Sequence, residues 1–288
     1  MTAITTTNGL VSPATSDRAA KVGLWASAVL SMAILLFIIG YIVIEGISVV
    51  NIPFLLGSPV LSGAKGGILP AIVGTICLMA VTLSSAVPIG VGAAIYLAEY
   101  ASDSVATRTI TFGVECLAGV PSIVIGLFGY AFLVIYLGFG FSILSGGLAL
   151  MAMALPWIVR TSEEAIKAVP LTVREGSLAL GATKWQTVSR VVLPSAIPGI
   201  VTGAILGVGK AIGEAAVLMF TAGSSLLMPS SLFDPVRALP YHIYILASEG
   251  ISNPMAYGSS IVLLAMVLAI NLGAIAIQAH YGRRYGRN

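Results

Sequence analysis

Residues 174–200 read REGSLALGATKWQTVSRVVLPSAIPGI, a charged, helix-prone stretch in a chain that is otherwise greasy. It carries Arg174, Lys184 and Arg190, with Lys167 just upstream, around a central Gly181 and a closing Leu193-Pro194. Pro170 can open a helix, because the N–H it lacks has no partner in the first turn anyway. The run that follows ends at Gly181, a residue suited to a left-handed C-cap, and Thr183 is placed to cap a second short helix. In that second helix Trp185, Val188, Val191 and Val192 recur at helical spacing, and Pro194 and Pro198 are expected to end it. The stretch therefore predicts two short helices hinged at a glycine, with one apolar face to bury. Two partners suit such a face: bilayer headgroups, to which the basic residues would also be drawn, or another protein.

The rest of the chain says where this stretch sits. Charged residues are 9% of the 288, against about a quarter in a soluble domain. Hydrophobic residues are 58% and the mean hydropathy is +1.03, so the chain is expected to be an all-α polytopic membrane protein. Cys77 and Cys116 lie inside apolar runs and read as small hydrophobes, with neither a disulfide framework nor a metal site implied. Six spans can be drawn, at about 22–45, 68–98, 112–137, 142–160, 199–222 and 257–279, each near the roughly 20 residues a bilayer needs. The second is long enough to tilt or to break near Pro88, and only the GFGF turn separates the third from the fourth. A polar, Thr-rich tail over 1–21 precedes the first span, a transmembrane domain is expected over 66–280, and a basic tail closes the chain at 281–288.

Charge gives the orientation. An even number of spans puts both termini on one side, and eleven of the fourteen basic residues, from Arg18 to Arg287, fall on that side. The loops at 46–67 and 223–256 hold only Lys65 and Arg237. Such a bias predicts that both termini and the 161–198 loop are cytoplasmic.

Lys210 and Glu214 are the charges expected well inside a span, where burial demands a reason. At about 100° per residue from Gly199, Gly203 falls near 40°, Gly207 near 80°, Lys210 near 20° and Glu214 near 60°. The pair thus shares a stripe with three glycines, the mark of a close helix neighbour, and is expected to face the protein interior. Lys210 would lie about 17 Å above Gly199, near the middle of the hydrocarbon core. The plainer reading is mutual neutralisation at i, i+4. GAILGVGKA (203–211) has the outline of a phosphate-binding P-loop, but Ala204 and Ala211 stand where that motif needs Gly and Ser or Thr. No nucleotide site is expected on this chain, and no span carries a constellation able to do enzymatic chemistry.

Glu175, Gly181 and Val191-Val192-Leu193-Pro194 keep the spacing of the cytoplasmic EAA loop, and here the sequence resembles the permease subunits of type I ABC importers. Gly176 and Ser177 replace that motif's two alanines. GGILPAIVGT (66–75), GVGAAIYLAEY (90–100), LAGVPSIVIGLFG (117–129), LPWIVRTSEEAIKAVP (155–170) and KAIGEAAVLMFTAG (210–223) narrow the resemblance to the phosphate-specific subfamily. The resemblance implies a six-helix permease of the bacterial inner membrane. It also implies a homologous permease partner, an ATPase pair that binds ATP and magnesium, and an extracytoplasmic phosphate-binding protein, with no nucleic acid. In that family the loop docks on the ATPase, which would make Glu175, Gly181, Ala182, Trp185, Leu193 and Pro194 the coupling residues here. Glu214 matches a family glutamate, Lys210 stands where the family usually has arginine, and Arg160 matches another family arginine. All three would line the substrate path. The alternatives are a permease for molybdate, sulfate or phosphonate, or a standalone channel.

Overall fold

The computed structural model describes residues 13–102 and 104–285. In chain order the helices are α1 (Pro13–Gly46), α2 (Ile52–Leu56), α3 (Leu69–Ile95), α4 (Val105–Gly119), α5 (Ser122–Gly129), α6 (Ile143–Lys167), α7 (Leu171–Ala179), α8 (Lys184–Thr187), α9 (Leu193–Ile212), α10 (Ala216–Thr221), α11 (Leu239–Ser248) and α12 (Asn253–Tyr285). Between α2 and α3 an antiparallel hairpin pairs β1 (Pro59–Val60) with β2 (Lys65–Gly66). Single π turns extend α3 to Tyr100 and α5 to Tyr136, and another joins α8 to α9. The polar tail expected ahead of the first span lies outside the described residues over 1–12; from Pro13 onward the chain is already α1.

The bundle is built around α6. Of its most apolar window 61% is buried, against none of the corresponding window of α1. Small residues make that possible. On one side a Cβ at Gly147 would sit 2.5 Å from Val81 Cγ1 of α3, and at Gly90 of α3 it would sit 2.7 Å from Ile158 Cγ2. On the other side Gly199, Gly203 and Gly207 of α9 lie against Ala165, Thr161 and Ile158. Glycines let backbones approach where hydrocarbon offers no hydrophobic drive between helices. Helix α1 is attached to α12 at its end, where Tyr41 and Tyr257 meet edge to face at 5.7 Å.

The spans differ from expectation in three places. The segment expected to cross as one helix over 112–137 is two, α4 and the α5 run, bent by 105°. The break is at Val120-Pro121: proline disfavours helical backbone at the residue before it, and Val120 is extended with ψ 130°. The expected fifth span, 199–222, begins earlier and ends earlier. Pro194 and Pro198 do not stop the chain, which is helical from Lys184 to Ile212. The π turn at Val188–Val192 widens the helix just ahead of Pro194, where a proline ring would otherwise meet a carbonyl one turn back. At the other end Gly213 caps α9 and α10 is a separate short helix. The third difference is the fourth span, expected over 142–160, which runs on as α6 to Lys167; Pro88, an expected point of tilt or break in the second span, lies inside an unbroken α3.

The two connections with few basic residues meet at one end of the bundle. Arg237 Nη1 donates to the Ser62 carbonyl at 3.2 Å, and the Leu239 N–H donates to Thr75 Oγ1 at 2.8 Å. His242 of α11 is 1% exposed and packs on Gly63, whose φ of +101° and lack of a side chain let the hairpin close over the imidazole. Burial first, and the Arg237 cation second, push His242 down to about 4.

Candidate functional site

At the opposite end of α3 the 161–194 segment forms the expected pair of short helices. Helix α7 starts after Pro170, Gly181 turns the chain with φ +85°, and Thr183 caps α8. The cap is reciprocal: Gln186 N–H donates to Thr183 Oγ1 at 3.3 Å and Thr183 N–H donates to Gln186 Oε1 at 2.8 Å. Val188 and Val192 are buried, as their spacing predicts, but Trp185 is 59% exposed. Leu171, Val173, Leu178 and Leu180 are exposed too, so the pair presents an apolar face that its own chain leaves uncovered. Glu175 is exposed, Ala182 is half-buried beside Gly181, and Leu193 and Pro194 lie in the first turn of α9.

What holds this pair to the bundle is polar and was not visible in the spacing. Arg174 Nε donates to Glu99 Oε1 at 3.0 Å, Nη2 donates to the Ile166 carbonyl at 2.7 Å, and Nη1 donates to the Val169 carbonyl. Lys184 Nζ lies 4.8 Å from the centre of the Tyr100 ring, a cation–π distance. Ser177 and Thr187 share a hydrogen bond at 2.9 Å across the two helices. Beneath them Ala94, Ile166, Val169, Val192 and Ala196 form an apolar joint where α3, α6 and α9 meet.

Lys210 keeps the angular position of the glycine stripe but not its burial, and Glu214 leaves the stripe altogether. Helix α9 ends at Ile212, so Glu214 lies in the link before α10 and helical angles no longer apply to it. Lys210 Nζ is 3.7 Å from Glu214 Oε1, and the two side chains are 49% and 16% exposed. The glycines do make the close contact expected of them, with α6. Further along, the buried residues are Gly207, Val208, Ala211 and Ile212, a face roughly 110° round from the lower stripe. There Ala211 and Ile212 join a cluster with Leu150 and Met153 of α6, Leu78 and Met79 of α3 and Leu218 of α10. Further neighbours beside α6 thus widen and turn the buried face toward the end of the helix and leave Lys210 outside it, on a face this subunit leaves open.

Arg160 is not at a helix end, because α6 runs on to Lys167. Its Nη2 donates to Glu115 Oε1 of α4 at 2.9 Å, and its Nη1 lies 3.5 Å from Glu163 Oε2. Glu163 is 6% exposed and accepts from Lys167 Nζ at 2.6 Å. A cleft of about 220 Å³ adjoins the Arg160–Glu115 pair, lined by Val114, Ala118, Pro156 and Trp157. Arg160, Lys210 and the α7–α8 pair are thus three separate places, not one site. Glu163 escaped the reading of the sequence because the fourth span was ended at 160. Among the described residues no group of three or more His, Cys, Asp or Glu side chains is placed to hold a metal ion.

An uncovered helical hairpin at the root of three apolar helices is the form of a subunit that works in a membrane assembly, and comparison with known proteins agrees. The model of the binding-protein-dependent transport system inner membrane component family matches residues 86–287. The chain is 38% identical over 263 residues to the probable ABC transporter permease protein YqgI of Bacillus subtilis, covering 86% of this chain and 90% of the relative. It is 38% identical over 226 residues to the phosphate transport system permease protein PstA 1 of Mycobacterium tuberculosis, covering 76% and 73%. To PstA of Xylella fastidiosa it is 37% identical over 217 residues, covering 74% and 75%. In fold it resembles a chain of a bacterial alginate ABC importer, with TM-score 0.66 at 15% identity, covering 92% of this chain and 98% of that one. A chain of the MetNI methionine transporter gives TM-score 0.62 at 22% identity, covering 74% and 97%. With the family model spanning most of the chain and its relatives matched over most of their own length, the protein belongs to the inner membrane components of binding-protein-dependent transport systems, as an ABC importer permease subunit.

Proposed function

We propose that this permease subunit imports inorganic phosphate, forming half of a translocation path beside a homologous permease. Two ATPase subunits would supply the ATP hydrolysis and an extracytoplasmic binding protein would deliver the ion. The observation that carries the substrate is the 37–38% identity to PstA proteins over about three quarters of the chain. The uncovered apolar face of α7 and α8 supports the ATPase contact, with Glu175, Gly181, Ala182, Trp185, Leu193 and Pro194 carried by that hairpin and its root.

Lys210 and Glu214 suit phosphate on an open face. Phosphate near neutral pH carries at least one P–OH donor and sulfate carries none, so a cation beside a carboxylate attracts the first and opposes the second. A lysine in place of the family's arginine keeps the charge without the bidentate fork, which favours passage over retention. Arg160, engaged by Glu115 and Glu163, would take part only when one of them lets go.

The test is uptake of radiolabelled phosphate in a strain lacking this chain, with and without its restoration. Restored phosphate uptake supports the reading. Restored uptake of molybdate, sulfate or phosphonate in its place would reassign the substrate. Lys210→Met with Glu214→Leu should assemble yet import about tenfold less, the range of one well-placed charge contact. Parental import by that double variant would remove the pair from the path. Orientation is tested by cysteine labelling: Ser231→Cys should react from outside intact cells and Leu180→Cys should not. Leu180 is chosen because it is 91% exposed.

A further inference from the structure

Helix α7 has nine residues, and only Arg174 and Ser177 among them are withdrawn from solvent. Ser177 reaches sideways to Thr187 of α8. Arg174 alone reaches down into the bundle, and it is tied to Glu99 as well as to the end of its own neighbour α6. Glu99 belongs to the π turn Tyr96–Tyr100 that ends α3, closed by the Ala101 N–H donating to the Tyr96 carbonyl at 2.8 Å. The next residue in that turn, Tyr100, lies under Lys184 of α8. Both short helices therefore grip one turn of a helix that is 75 residues distant along the chain from Arg174.

From this geometry we infer that the π turn at the end of α3 is where movement of the α7–α8 pair enters the bundle, with Glu99 and Tyr100 as positioning residues. The flanking helices α6 and α9 are joined to the pair by backbone. Among the described residues helix α3 is joined to it by these polar contacts and the apolar joint below. The Arg174 and Glu99 side chains are 15% and 9% exposed, so their attraction is little screened by solvent. Helix α3 packs closely on α6 where Gly90 faces Ile158. Movement at Glu99 is thus passed on to α6 and the Arg160 cluster.

The inference rests on the reading of the α7–α8 pair as the ATPase contact, and the parental complex tests that reading first. The full complex is purified and reconstituted in vesicles, with ATPase co-purification, ATP hydrolysis and phosphate import measured together. A parental complex that neither retains an ATPase nor imports phosphate would fail the functional reading before any variant is made. With a working parent, Glu99→Gln should keep assembly and hydrolysis within about twofold, while phosphate imported per ATP falls about two- to thirtyfold, as expected for a lost coupling contact. Glu99→Asp, which keeps the charge within reach of Arg174, should restore most of it. Lys184→Met should lower the same ratio by less. Lys184 is at the surface, so that variant also serves if Glu99→Gln does not assemble. An unchanged ratio in Glu99→Gln and in Lys184→Met would overturn the inference. So would equal losses of assembly, hydrolysis and import, because the contacts would then only hold the docking surface in shape.

Discussion

Gly63 and Gly181 both adopt left-handed backbone, with φ of +101° and +85°, at opposite ends of α3. A Cβ at Gly63 would lie 2.6 Å from His242 Cε1 and 3.4 Å from Leu246 Cδ2. A Cβ at Gly181 would meet nothing within 4 Å. One glycine answers to packing and backbone together, the other to backbone alone. The hairpin end is a cap in which Gly63 is packed tightly against His242 and Leu246 of α11, although the outer side of the hairpin lines a cleft of about 380 Å³ with α2. The α7 end is an appendage with exposed apolar faces, held by a few charged contacts. A membrane subunit that has to be rigid where its connections close over the bundle and movable where a partner acts would be divided in this way.

The contrast fails first at Gly63 if it fails at all. Gly63→Ala adds overpacking and left-handed strain, and should cost about 2–4 kcal/mol. Thermal unfolding of the detergent-solubilised protein reads this directly. A midpoint no lower than that of Gly181→Ala would mean the cap is not packed as described.

Next comes pH. His242 is depressed to about 4 from 6.5, so between those values the unfolded form binds more protons than the folded one, and stability falls as pH is lowered. The loss is absent above about pH 6.5 and should reach about 2 kcal/mol at pH 5. His242→Gln, whatever its own cost, should flatten that dependence between pH 7 and 5. A midpoint as steep in pH for the variant as for the parent would clear the imidazole of the effect. The α7–α8 hairpin holds no histidine, which sharpens the contrast.

The third effect is smaller and local. Gly181→Val should cost about 1–2 kcal/mol by forcing a β-branched residue into left-handed backbone. Global unfolding should scarcely move, while coupled transport drops. Gly181→Asn should recover most of it, since asparagine tolerates this conformation. An equal loss with Asn would show that something other than φ matters there.

Part of this division was legible in the residues. Glycines four apart on α9 announced a close helix neighbour, and α6 is that neighbour. Gly181 and Thr183 announced the hinge and the cap, and the reciprocal Gln186 contact adds to them. Hydropathy could not show the 105° bend, because 112–137 is apolar on both sides of it; Pro121 was its only mark. Nor could a helical wheel place Lys210, since a wheel assumes one buried face along the whole helix, and that of α9 turns as α3 and α10 join α6 around its end. Glu99 and Arg174 carry no periodic signal at all. They are brought together by the fold, and each alone reads as a charge at the end of an apolar run.

The smallest expected effect concerns an ion pair between α4 and α6 that has solvent on both sides. Arg160 and Glu115 are 45% and 54% exposed, and exposed pairs are worth about 0.2–1 kcal/mol. Helix α4 has no buried residue, and Glu115 ties its surface to Arg160 of α6. Glu115→Gln keeps the shape and removes the charge, and should leave the thermal midpoint within error of the parent. Arg160 would still face Glu163, so no unpaired charge is created. The same change should loosen α4, seen as faster reaction of Cys116, which is exposed on that helix, with a thiol reagent. A large fall in the midpoint would mean that this pair belongs with the packed cap and not with the movable end.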